Sequence, residues 1–93
     1  MNTEPTPEII AGALTNAKRL FSINEHFTLL RALAEATTTE QCRGVEGFKV
    51  FRDVRDAVTK VLPPTTTLPA FNDTAPPRRV VEVLDKAIEA VTA

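Results

Sequence analysis

The sequence predicts an all-α protein: a small bundle of about four amphipathic helices, with a proline- and threonine-rich strap ahead of the last one. Three observations point there. Apolar residues recur at spacings of three and four through most of the chain, which gathers them on one stripe of a helix. Capping residues and prolines punctuate those stretches where helices start and stop. No segment carries the alternation or the bounded β-branched run that marks a strand. At 93 residues the chain has room for one domain, taken as 1–93, with 1–6 as a flexible lead-in.

The first helix starts at Thr6-Pro7-Glu8, where threonine caps, proline holds a helical φ and glutamate favours the positive helix end. Its stripe is Ile9, Ile10, Ala13, Leu14, Ala17, Leu20 and Phe21, with Lys18 and Arg19 expected in the last turn. Ser22-Ile23-Asn24-Glu25 fits a capping box and predicts a second helix from Ser22. One continuous helix over 7–36 is the competing reading, since neither Gly nor Pro separates the two. The second stripe is Ile23, Phe27, Leu30, Leu33 and Ala34, widened by Leu29, Ala32 and Ala36.

Thr37-Thr38-Thr39 is a β-branched run that a helix tolerates poorly, so the chain turns there, with a short helical turn allowed over 39–43. A third helix is expected over 45–62 on Phe48, Phe51, Val54, Val58, Val61 and Leu62. Its outer face is expected to carry i,i+4 pairs of Lys49 with Asp53, Arg52 with Asp56, and Asp56 with Lys60. Pro63-Pro64 ends it. The segment 63–76 reads as an extended strap anchored by Leu68 and Phe71, long enough for the last helix to dock on a neighbouring copy. That helix, over 77–92, is capped by Asp73 or Thr74 and has Val80, Val81, Leu84, Ala87, Ile88 and Val91 as its stripe.

Composition narrows the function. A formal net charge of -1 gives no broad basic field for phosphates. With one cysteine, Cys42, and one histidine, His26, neither a disulfide nor a zinc-type ligand set is available, and a thiolate–imidazole pair has no third group to orient it. No phosphate loop, dinucleotide fingerprint or hydrolase motif is present. The expectation is a non-enzymatic protein without a cofactor. The start of the chain lacks the layout of a secretory signal and no apolar run is long enough to span a membrane, so a cytoplasmic setting without membrane contact is expected.

What remains is recognition. Arg78 and Arg79 sit at the start of the last helix, against the preference of the helix dipole, and arginine is enriched in binding hot spots. Ile23 and Leu29 lie beyond the width of a single seam, so they are expected to form, with those arginines, a surface for a partner protein. The Phe48–Phe51 pair and Phe71 read as core rings. The chain is therefore expected to be a small regulator, inhibitor or adaptor, and a homodimer, because a thin core favours self-association. The alternative is a helix-turn-helix-like DNA-binding regulator using Gln41, Arg43, Lys49 and Arg52. A third reading is an assembly subunit of a phage or bacterial complex.

Overall fold

The computed structural model describes residues 4–23, 28–38 and 45–93. Among them the regular structure is wholly helical: α1 (Pro7–Ile23), α2 (Leu29–Ala36), α3 (Gly47–Val61), α4 (Leu68–Thr74) and α5 (Pro77–Thr92). α1 starts as the sequence indicates, with the Thr6 hydroxyl accepting the Ile9 N–H at 3.2 Å. Glu4, within the expected flexible lead-in, reaches Lys49 and Arg52 of α3 at 3.6 Å each.

The break between the first two helices is real but falls later than Ser22. Ser22 lies inside α1 and its hydroxyl donates to the Lys18 carbonyl at 2.8 Å, so it is not the N-cap of α2. That role belongs to Thr28, extended at φ -85 and ψ 166, whose oxygen accepts the Arg31 N–H. The later end of α1 also moves Lys18 and Arg19 out of its last turn. Lys18 instead binds Asp85 of α5 at 2.7 Å. Thr37 closes α2 and donates its buried hydroxyl to the Leu33 and Ala34 carbonyls. The expected short turn over 39–43 lies outside the described residues.

The strap is the largest correction. It is not extended throughout: residues 68–74 form α4, capped by Thr67, whose oxygen accepts the Ala70 N–H, with Pro69 in the first turn where its missing N–H costs nothing. Thr74 belongs to α4 and donates to the Ala70 carbonyl, so neither it nor Asp73 caps the last helix. The residue flanking α5 is Pro76, which supplies no side-chain cap.

The core is one cluster drawn from every helix. Its fully buried large side chains are Leu14, Leu29, Leu33, Val50, Val54, Val58, Val83 and Leu84, with Leu68 and Phe71 of α4 at its edge. α1 packs against α5, α2 and α3, and α3 packs against α5. α1 and α5 run antiparallel: Lys18 meets Asp85 at mid-length, while Phe21 lies beside Val81 towards one end and Ile10 beside Val91 towards the other. α5 thus docks on α1 of its own chain. The radius of gyration, 12.3 Å, is that of a single packed unit; the scaling for this length gives about 12 Å.

Phe71 is a core ring, but Phe48 is not: it is 65% exposed, and Phe51 is half-buried with the Arg55 guanidinium 5.8 Å above its ring. The expected i,i+4 pairing of Arg52 with Asp56 gives way to Asp53, at 3.1 Å, and Glu4. The hydrogen bond and charge of Asp53 together raise the Arg52 pKa above its ordinary value.

Asn72 of α4 holds the start of α2 from outside. Its side-chain oxygen accepts the Leu30 N–H at 2.9 Å, while Thr28 takes the next donor. An eight-residue helix is marginal alone, so these two acceptors and its buried face hold it. Asn72→Ala leaves the Leu30 N–H without its acceptor and is expected to lower unfolding stability by about 0.5–2 kcal/mol, the range for a lost cap, as measured by urea unfolding. Gly12, exposed in the interior of α1, has nothing within 4 Å of where a Cβ would stand. Gly12→Ala is expected to raise stability by about 0.5–1 kcal/mol in the same measurement.

Candidate protein-binding groove

The antiparallel pairing sets the C-terminus of α1 beside the N-terminus of α5. Between them lies a concavity of about 330 Å³ lined by Phe21, Ser22, Pro77, Arg78 and Val81. Its apolar lining follows from the width of the two stripes: Phe21 and Val81 sit at their margins, half-buried, while Leu14, Val80 and Leu84 fill the seam. Ile23, next along α1, is 69% exposed. The Ser22 hydroxyl is committed to its own helix, so among the described residues the polar group here is Arg78. The Arg78 side chain is exposed and has no hydrogen-bond or ion-pair partner among the described residues.

Arg79 faces differently. It is half-buried and donates to Glu82 at 3.2 Å. With Pro76 it also borders a second concavity, of about 460 Å³, whose walls include Phe71, Ala75, Thr66 and Thr74. A shallow surface lined by Pro76, Arg78, Arg79 and Glu82 joins the two hollows around the first turn of α5.

The positive field here comes from guanidinium groups, with little from free backbone donors. Pro76 and Pro77 carry no N–H, and those of Arg79 and Val80 both go to the Pro76 carbonyl, at 3.0 and 3.2 Å. The adjacent C-terminal end of α1 partly cancels the α5 dipole.

A further hollow of about 370 Å³ lies at the opposite end of the α1–α5 seam, lined by Ile10, Ala57, Ala90 and Val91 with Asp53, Asp56 and Lys60. Ile10 is half-buried there and packs against the core.

Of the residues expected to contact a protein, Arg78 lines the groove, Arg79 lines the adjoining surface and the second hollow, Ile23 is exposed at the end of α1, and Leu29 is in none of these places. Leu29 is 1% exposed and belongs to the core, because starting α2 at Thr28 turns the Leu29–Ala32–Leu33–Ala36 face inward. Of those expected to contact DNA, Gln41 and Arg43 lie outside the described residues, as do His26 and Cys42. Lys49 and Arg52 are both drawn to the Glu4 carboxylate. Among the described residues no group of three or more His, Cys, Asp or Glu is placed to hold a metal ion, and no helix is long and apolar enough to cross a membrane.

Sequence reading missed Phe21, Pro77 and Val81 as surface. No sequence signal separates Val80-Val81, where Val81 is half-buried, from Val83-Leu84, where both side chains are buried. No protein-family model matches the chain, and comparison with curated proteins and with solved structures gives no match.

Proposed function

We propose that this chain is a non-enzymatic interaction module, a small regulator, inhibitor or adaptor, that binds a partner protein through the groove between the end of α1 and the start of α5. The observation that carries the reading is an apolar hollow lined by Phe21, Pro77 and Val81 together with Arg78, a guanidinium without a partner among the described residues. Interfaces draw most of their energy from a few apolar anchors and arginines of this kind. Ile23, the last residue of α1, is a further exposed apolar side chain. The fold behind it is a compact all-helical globule, with α4 lying in the segment between α3 and α5.

Self-association is a second reading, favoured by two large exposed apolar side chains, Ile23 at 69% and Phe48 at 65%. In that case the same module works as a homodimer.

Both readings are tested by placing a photo-crosslinking phenylalanine analogue at Ile23, at Val81 or, as a control, at exposed Lys86 of α5 in the native host. Adducts to one protein from the first two positions and not from the control are expected. Adducts of the chain to itself from those positions identify the homodimer. The same products from all three positions, or none from the first two, contradict the groove as a binding surface.

A further inference from the structure

Taking that groove to be a protein-binding surface, we infer that the element it receives is an extended acidic segment of the partner. The segment crosses the first turn of α5 with one apolar side chain against Phe21, Pro77 and Val81, a carboxylate on Arg78, and a second apolar side chain over Phe71 and Ala75. The two hollows are continuous around the start of α5. The hollow between α1 and α5 shares Arg78 with the shallow surface at the front of α5, and that surface shares Pro76 and Arg79 with the hollow between α4 and α5. One path therefore runs from one side of α5, over its N-terminus, to the other.

Shape selects an extended chain. A helix is a straight cylinder about 10–12 Å across and meets one side of α5 only. An extended strand advances about 3.3 Å per residue and places alternate side chains on one face, so it follows a path that turns around a helix end and fills hollows on both sides.

Charge selects acid. Among the described residues, the joining surface carries Arg78 without a partner, Arg79, and one carboxylate, Glu82, already held by Arg79. An incoming carboxylate on Arg78 meets a planar fork that matches its two oxygens. A nucleic-acid backbone presents a long row of phosphates and needs cations along its whole track. Here the flanking hollows offer Phe21, Val81, Phe71, Ala75 and Pro63 instead.

The test pans a display library of random dodecapeptides on the full chain. Selected peptides are then titrated into 15N-labelled protein, wild type and Arg78→Glu, at low and moderate salt. The expected peptides carry Asp or Glu between apolar residues and shift the amides of Phe21, Ile23, Arg78 and Val81 together with those of Phe71 and Ala75. They are expected to lose roughly tenfold or more in affinity on Arg78→Glu, and to weaken as salt rises. Replacing the peptide's own Asp and Glu by Asn and Gln gives the same loss from the ligand side, independently of the variant's folding. Peptides that shift these amides but lack acidic residues, or bind Arg78→Glu equally well, overturn the acidic segment and leave the groove standing. Selection of no peptide, or of peptides whose shifts fall elsewhere, overturns both.

Discussion

The antiparallel seam between α1 and α5 is the constraint on which the rest of the molecule depends. It joins the first helix of the chain to the last, and both hollows at its ends exist because these two helices lie side by side. Ala13, Leu14 and Ala17 of α1 and Val83, Leu84 and Ala87 of α5 are all buried in the shared core. Burying a side chain such as Leu14 or Leu84 stabilises by about 1.5–3 kcal/mol. The Lys18–Asp85 bond, at 2.7 Å, joins side chains that are 38% and 53% exposed. A pair so wetted contributes about 0–1 kcal/mol, so it marks the register more than it supplies the stability.

The short elements join the core through apolar side chains: Leu29, Ala32, Leu33 and Ala36 of α2, which packs on α1, and Leu68 and Phe71 of α4. α2 has eight residues and α4 has seven, both below the length at which a helix persists alone. Each has a threonine N-cap, and Asn72 ties one to the other. α4 adds Leu68 and Phe71 to the core and, through Ala70, Phe71 and Thr74, walls the hollow on the far side of α5. An element that began as a connection thereby shapes the surface.

The long helices were legible in the sequence because their apolar period and the prolines around them agree. Pro7 opens α1, Pro63-Pro64 follow α3, and Pro77 opens α5. Two local signals misled. Ser22-x-x-Glu25 has the composition of a capping box, but a serine inside a helix can also bond back to the carbonyl four residues earlier, and here it does. The proline- and threonine-rich strap hid α4, since Thr67-Leu68-Pro69 reads equally as extended chain or as a cap with proline in the first turn. Leu29 shows how such shifts propagate: moving the start of α2 from Ser22 to Thr28 moves a presumed surface residue into the core. The candidate site was legible only in part. Arg78 declared itself by standing where the dipole disfavours it, whereas Phe21 and Val81 became surface only once the two helices were set against each other.

A groove built by two packed helices is only as permanent as their packing, which is what suits it to binding by a preformed surface. The direct measurement is native-state hydrogen exchange on the wild type and on Leu14→Ala, a truncation at a fully buried position of α1 that costs about 2–5 kcal/mol. If the seam holds the molecule together, α1 and α5 exchange as one cooperative unit, and amides on both lose protection by the same factor in the variant. Protection of α5 that is unchanged while that of α1 falls would contradict the account.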